Sequence, residues 1–484
     1  MSKKCIIEIK DEVNIRLKNL DPSTRRKCSD KLKFFLPHAF HTPAYKLGRW
    51  DGMVRFCDVG GRTYLNLLDD LVPIIVDAGY EFEIQDERMD HGTLEFDHVA
   101  EDYWGDKTWP KGHKHEGELI RLRDYQVEII NKFIENPQAL QEVATGAGKT
   151  IMTATMASIV ERYGRSIVIV PNKDLVKQTA KDYENCGLDY GVYFGDKKDI
   201  GKTHTVCTWQ SLNSLLKQTK EGKADINDFI DGVVCIIVDE VHQAKADVLK
   251  ELLTGVFANV PLRWGLTGTI PKSEWDVASI NASLGKVIHQ LSAKTLQDEG
   301  VLSKCHVEVI QTQETAEYSN YQSELKFLLE DKKRADFMAA KIMEISKTGN
   351  TLVLVDRLAA GNALLERLPT ETVFVSGKMK TDDRQEEYDE INQATNSITL
   401  ATYGVAAVGL NIPRIFNLVM IEPGKSFVRV IQSIGRGVRT AKDKDFVQIW
   451  DFTSRCKFSK RHLTERKKYY TEAQYPYRVN KVTY

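Results

Sequence analysis

Apolar residues along this chain fall into short runs, most of them unbroken rather than alternating. SIVIVP, THTVCT, VVCIIVDE and RWGLTGT lie between residues 119 and 300, separated by stretches of helix length. Continuous Val/Ile runs ending in polar residues suit parallel strands buried on both faces, with reactive groups gathered at their C-terminal ends. A second series, TLVLVD, TVFVSG, SITLAT, LVMIEP and FVQIWD, follows after residue 304. The pattern predicts an α/β chain with two similar domains in tandem, 119–303 and 304–453, each a parallel sheet flanked by helices. At the start of the second, LLEDKKRADFMAAKIMEIS reads as one long amphipathic helix.

The rhythm before residue 105 is different. Short β-rich runs (CIIEI, MVRFCDV, YEFEI) mix with helical ones (CSDKLKFFL, LLDDLVPIIVDAG), which predicts a small α+β accessory domain over 1–105. GDKTWPKGHKHEGE is polar with Gly and Pro, and predicts a linker over 106–118. The end of the chain, 454–484, predicts a short basic extension. There Arg455, Lys457, Lys460, Arg461, Arg466, Lys467 and Lys468 are interleaved with Phe458, Tyr469 and Tyr470. Such a run is either a surface for nucleic acid or a solvated helix face.

Composition narrows the class. At 484 residues the chain has room for about three domains, and 42% hydrophobic with 28% charged residues is the balance of soluble globular folds. A net charge of −1 gives no global pull toward nucleic acid, so any basic groove must be local. Eight cysteines never form Cys-x-x-Cys, and Cys235 sits inside VVCIIV, which argues for buried thiols over zinc or disulfides. His113-Lys114-His115 reads as part of the solvated linker rather than a metal site. No apolar run approaches the ~20 residues that span a bilayer. The start MSKKCIIEIKDEVN lacks a signal-peptide core, so a cytoplasmic protein with no membrane partner is expected.

The chemistry concentrates in a few stretches. EVATGAGKT, residues 142–150, is a small-residue turn followed by a helix, whose outward N–H groups and positive end favour a polyphosphate. Lys149 would reach the β- and γ-phosphates and Thr150 would place its hydroxyl on Mg²⁺. The leading Gly of the general P-loop pattern is here Val143, so the turn alone leaves open a glycine-rich helix start. VVCIIVDEVH ends a buried strand about ninety residues later. Asp239 can hold Mg²⁺, and Glu240 can orient or deprotonate a water, unless the pair merely caps a helix. In LRDYQ, the amide of Gln126 could read the two-sided edge of adenine, or simply open a helix. In QSIGRGVRT, Arg436 and Arg439 are three apart, on one face if helical.

Gln126, ATGAGKT, DEVH, GLTGT and QSIGRGVR, in this order and approximate spacing over residues 119–453, resemble the motifs of superfamily 2 helicases. In that family the phosphate turn reads Ala-Thr-Gly-x-Gly-Lys-Thr, which accounts for Val143. The resemblance implies two RecA-like domains, ATP and Mg²⁺ as cofactors, and adenine recognition by Gln126 beside Arg123. It implies phosphate binding by Thr145, Gly146, Ala147, Gly148, Lys149 and Thr150, and metal and water handling by Thr150, Asp239 and Glu240. His242, Thr267 and Thr269 would couple the nucleotide to the cleft. Gly409 and Asn411 would sense it from the second domain, with Gln432, Arg436 and Arg439 completing the site when the domains close. Strand-tracking contacts would map to Lys177, Gln178, Thr208, Arg357, Ser376, Lys378 and Thr402.

Thr-Gly-Thr and DEVH, in place of the Ser-Ala-Thr and DEAD of DEAD-box RNA helicases, favour the DNA-acting branch. KLGRWDGMVRF, residues 46–56, resembles the Gly-x-Trp-Asp-Gly segment ahead of the motor in UvsW-type branch-migration helicases. That likeness implies that Arg49, Trp50 and Arg55 engage branched DNA, with Trp50 stacking on an unpaired base; alternatively Trp50 packs in a small core and Asp51-Gly52 forms a hairpin turn. The expectation is an ATP-dependent helicase acting on DNA forks and Holliday junctions, phage-encoded and monomeric on DNA. An RNA helicase, or an ATP-switched adaptor that binds DNA structures, remains the alternative.

Overall fold

In a computed structural model, the chain divides into two compact units, Met1–Val143 with Gly148–Gln290, and Ala144–Ala147 with Leu291–Tyr484. The structure describes residues 3–36, 38–111, 113, 115–243, 246–376, 388, 390–408, 412–441 and 443–484, and only the backbone at 243, 246, 407, 408, 427, 428, 432 and 436.

The first unit holds two sheets and a hairpin. Strands β1 (Lys3–Ile9), β2 (Asn14–Lys18), β5 (Arg62–Tyr64) and β6 (Tyr80–Asp86) form a sheet of order β5-β2-β1-β6. The hairpin pairs β3 (Lys33–Phe35) with β4 (Met53–Arg55). The larger sheet contains β7 (Gln138–Val143), β8 (Arg165–Val170), β9 (Tyr190–Phe194), β10 (Lys197–Lys198), β11 (His204–Thr208), β12 (Val233–Asp239), β13 (Leu262–Thr267) and β14 (Val287–Leu291). Its order is β10-β9-β11-β8-β12-β13-β7-β14. The register Asp239↔Leu266 and Glu142↔Thr267 aligns the C-terminal ends of β12, β13 and β7 along one edge.

The small sheet does not stand apart within this unit. Its core of Ile7, Ile15, Leu17, Phe56 and Leu71 is continuous with Trp275, Ala278 and Ala282 on the helix Glu274–Leu284. Phe56 and Trp275 lie 5.0 Å apart. Lys250, from the helix Ala246–Thr254, sits over the rings of Phe56, Tyr64 and Trp275. The described residues of 106–118 carry no regular helix but are tied down: Trp109 stacks on His113 at 4.0 Å, and Ile120 N donates to Lys107 O.

Among the described residues, the second unit holds one sheet of seven strands, all paired in parallel. These are β15 (Lys304–Thr312), β16 (Thr351–Val355), β17 (Val373–Val375), β18 (Ile398–Thr402), β19 (Asn417–Ile421), β20 (Phe446–Ser454) and β21 (Tyr477–Lys481), in the order β17-β18-β16-β19-β20-β15-β21. Both large sheets with their flanking helices match the expected α/β class.

Several expectations need correction. CSDKLKFFL is not one helix: the helix Pro22–Lys31 ends at Leu32, and Lys33–Phe35 is strand β3. LLEDKKRADFMAAKIMEIS breaks at Asp331, whose carboxylate caps a new helix, Lys332–Ser346, by accepting from Arg334 N. Asp51-Gly52 is no two-residue hairpin turn, since 36–52 separate β3 from β4. Gly52 instead admits a close approach: with φ at +75°, a Cβ there would lie 2.5 Å from the Phe35 ring. The C-terminal stretch is part of the fold, because the helix Lys457–Glu472 leads into β21 beside β15. Its cations divide accordingly. Lys457, Lys460, Arg461 and Lys468 are exposed, whereas Arg466 is fully buried against Asp451.

All eight cysteines are free and buried. Among the described residues no helix is long and apolar enough to cross a membrane.

Candidate nucleotide site

The aligned strand ends of the first unit carry the candidate chemistry. β7 runs into the small-residue turn and then into the helix Lys149–Val160. Gly148, at φ +81°, caps that helix from the left-handed region, where a side chain costs ~1–2 kcal/mol. A Cβ there would also lie 2.7 Å from Gln126 Nε2, so the turn passes directly against that amide. Gln126 is buried in the first turn of the helix Asp124–Glu135, with Oε1 accepting from Arg123 N at 2.9 Å. It does open a helix, and any adenine contact draws on the same amide.

Lys149 is only 9% exposed, and its ammonium sits 2.9 Å from Glu240 Oε1 while donating to Val143 O at 3.3 Å. Glu240 lies just past the end of β12 at φ +53°, a region non-glycine residues seldom occupy. Its other oxygen accepts from Gly268 N at 3.3 Å and is 3.7 Å from His242 Nδ1. His242 Nδ1 is 2.5 Å from Thr267 Oγ1, which donates to Thr269 O at 2.8 Å. The hydroxyl proton of Thr267 is thereby committed, so the network assigns the histidine proton to Nδ1. Lys149, Glu240, His242, Thr267 and Thr269 form one polar chain from the phosphate turn to the turn after β13.

Asp239, also buried, accepts from Glu240 N at 2.8 Å. Together with the buried Thr150 hydroxyl it offers hard oxygen donors of the kind Mg²⁺ takes, with phosphate and water completing the shell. Sequence reasoning missed two acids at this edge. Asp182, on the helix Lys173–Asn185, accepts from Thr150 Oγ1. Glu142, at the end of β7, accepts from Ile270 N at 3.3 Å, and burial raises its pKa. Neither carries a spacing signal that separates it from a surface acid.

The remaining candidates scatter more widely. Lys177 and Gln178 are half-buried on the helix Lys173–Asn185, and the hydroxyl of buried Thr208 caps the helix Trp209–Lys220. Arg49 and Arg55 are exposed, and Arg55 lies 3.5 Å from Asp51. Trp50 is half-buried and donates its indole N–H to Met53 O at 2.9 Å, which ties the ring into its own hairpin.

In the second unit, Arg357 donates to Gln322, and Ser376 and Thr402 are half-buried after β17 and at the end of β18. Gln432 and Arg436 are backbone positions on the helix Phe427–Gly437, and Arg439 follows two residues after its end. Lys378, Gly409 and Asn411 lie outside the described residues. Sequence reasoning also passed over Lys444, whose buried ammonium donates to Pro413 O, Gly437 O and Arg439 O at 3.0, 2.5 and 2.7 Å.

Residues 119–272 match the family described as type III restriction enzyme, res subunit, and residues 313–441 match the helicase conserved C-terminal domain. The chain belongs to the superfamily 2 helicases. Its enzyme class is that of an ATP-hydrolysing helicase, with tandem RecA-like domains. It is 22% identical over 494 residues to the ATP-dependent DNA helicase uvsW of Enterobacteria phage T4, covering 96% of this chain and 93% of that protein. It is 26% identical over 346 residues to a putative DNA 3'-5' helicase Rad25 of Haloarcula marismortui, covering 68% of this chain and 52% of that protein. Among solved structures, a fragment of a putative HsdR subunit of a type I restriction enzyme from Vibrio vulnificus aligns with a TM-score of 0.55 at 17% identity. That alignment covers 97% of this chain and 84% of the fragment, and it speaks for the fold.

Proposed function

We propose that this helicase uses ATP to unwind or branch-migrate DNA at forks and Holliday junctions. The observation that carries the reading is the Lys149–Glu240 ion pair and its extension through Gly268 and His242 to the turn after β13. ATP entering the turn offers its β- and γ-phosphates to Lys149 and competes with Glu240 for the ammonium. Glu240, once released, is placed to orient the attacking water, and its shift is felt at Gly268 and His242. Thr150, turned from Asp182, and Asp239 would hold Mg²⁺, which would neutralise charge on the phosphates. Arg436 and Arg439 would approach the γ-phosphate when the domains close, a contribution of ~10³–10⁵ in rate for an arginine finger. Hydrolysis then depends on closure, and closure moves the domains along a strand.

DNA as the partner is supported by the uvsW relative, which parallels nearly the whole chain. Energetics also suit a branch remodeller. Each base pair step is worth about 1.4 kcal/mol, but a moving junction re-forms a pair for every one it breaks, so ATP need only bias direction. The protein is proposed to act as a monomer in the cytoplasm, the host's if phage-encoded.

The test is ATP turnover with and without DNA, and strand displacement on a panel of forks, Holliday junctions, tailed duplexes and matching RNA duplexes. Stimulation by DNA, with remodelling of branched substrates above tailed duplexes, is the expected result. Lys149→Ala should abolish turnover and leave DNA binding measurable. Preference for RNA would replace this reading with that of an RNA helicase, and nucleotide binding without DNA-stimulated turnover would replace it with a switched adaptor.

A further inference from the structure

The helix Phe427–Gly437 carries the positions of Gln432 and Arg436, and Arg429 precedes them by three and seven residues. At 3.6 residues per turn these three positions share one stripe of the helix. The side chain of Arg429 leaves that stripe for two specific partners. Its Nη1 is 2.7 Å from Asp356 Oδ1, and its guanidinium carbon lies 5.1 Å from the centroid of the Tyr403 ring. Tyr403 is itself fixed, being buried and donating its hydroxyl to Ile421 O at 3.2 Å.

The two partners come from neighbouring strand ends. β16 and β18 pair in parallel with Val355 opposite Thr402, so Asp356 and Tyr403 are the next residues out of each strand. Asp356 directly precedes Arg357, and Tyr403 directly follows Thr402; Arg357 and Thr402 are the proposed strand-tracking contacts. A planar guanidinium can hold a carboxylate by its edge and an aromatic ring by its face at once, and an ammonium cannot.

We propose that Arg429 is a positioning residue that transmits DNA occupancy at the C-terminal ends of β16 and β18 to the helix bearing Arg436. This rests on the motor reading above. A strand seated on Arg357 and Thr402 loads the strand ends that carry Asp356 and Tyr403, and through Arg429 loads the helix that must present its arginine to the γ-phosphate.

The test compares turnover with and without single-stranded DNA in the wild type, Arg429→Ala, Arg429→Lys and Asp356→Asn. DNA affinity and melting temperature are measured alongside. Arg429→Ala should keep DNA-free turnover within about twofold and DNA affinity unchanged, yet lose about tenfold in stimulation, an ordinary size for coupling between two sites. Arg429→Lys should recover part of that loss, and Asp356→Asn combined with Arg429→Ala should be no worse than Arg429→Ala alone. A charge swap, Asp356→Arg with Arg429→Asp, should restore some stimulation even if either single change lowers the melting temperature. Full stimulation of Arg429→Ala, or equal loss of basal and stimulated turnover at an unchanged melting temperature, would overturn the coupling and leave the motor standing. A wild type that no DNA stimulates would instead sink the motor reading, and the coupling with it.

Discussion

Glu240 has two possible partners and cannot serve both. In the structure it neutralises Lys149 at 2.9 Å, so in the proposed function a phosphate competes with it for the ammonium. Glu240→Gln removes that competition together with the carboxylate proposed to orient the attacking water. Its expected behaviour is therefore split: affinity for ATP rises several-fold while turnover falls by ~10²–10⁴. Titration with a fluorescent ATP analogue beside steady-state kinetics checks this, and unchanged affinity would show that the ion pair does not compete.

Lys444 gives a residue-scale prediction with a sign. Burial pulls its pKa down from 10.5 to about 7, with the charge of Arg439 adding to the effect and Asp443 opposing it. Between about 7 and 10.5 the unfolded chain therefore binds a proton at this lysine that the folded chain does not, and from this group stability rises with pH across that window. Urea unfolding should show the wild type gaining stability over Lys444→Met as pH climbs from 7 toward 10. A neutral amine has two protons for three carbonyl acceptors, so the hold on Gly437 and Arg439 loosens over the same range. A difference from Lys444→Met that stays constant between pH 7 and 10 would locate the titration elsewhere.

At the scale of elements, legibility followed the physics of each segment. The central parallel strands could be read because burial on both faces demands unbroken apolar runs, as in SIVIVP and LVMIEP. β2 (NIRLK) and β21 (YRVNK) went unread because they alternate and carry charge. The break at Asp331 was hidden because buried positions continue through it, from Leu325 and Leu328 to Ala335 and Met338. Only the capping geometry of Asp331 marks the division. The motifs of the candidate nucleotide site were legible, but the bonding of Asp182 to Thr150, and of Lys444 in the second unit, was not, since both reach their partners from distant elements.

Buried charge was the least legible feature. Arg466 looks like one more cation of a basic run, yet it forms two bonds to Asp451, at 2.8 and 2.9 Å, and a third to Gly424 O. Tyr470 donates to the same carboxylate at 2.8 Å. This joins the helix Lys457–Glu472 to β20. Arg466→Leu strands Asp451 in the interior, and a loss of ~3–5 kcal/mol is expected by urea unfolding. Arg466→Leu with Asp451→Leu should recover part of that loss, because the uncompensated charge is gone. A double variant as unstable as the single would place the cost in packing instead.

For the molecule as a whole, the shared core around Trp275 decides how the N-terminal sheet is carried. A detachable module would bury its own apolar face and meet the motor through polar contacts. Here Trp275, Ala278 and Ala282 belong to the same cluster as Ile7 and Phe56, and backbone bonds such as Glu12 N to Ala258 O reinforce the joint. Lys250 adds a second tie. Its ammonium lies 4.2, 5.3 and 5.2 Å from the rings of Phe56, Tyr64 and Trp275, on the helix that follows DEVH in sequence. Such a desolvated cation–π contact contributes ~2 kcal/mol, and each large apolar side chain uncovered costs ~1.5–3 kcal/mol. Deletion of residues 1–90 should accordingly destabilise what remains rather than release an intact motor, with a lower thermal midpoint and binding of a hydrophobic dye. Lys250→Met in the full chain should lose ~1–2 kcal/mol while leaving nucleotide affinity intact. A truncated chain with the parent's midpoint would mean that the sheet is an appended domain. Any DNA contact proposed for it would then reach the candidate nucleotide site through a flexible connection instead of through the helix Glu274–Leu284.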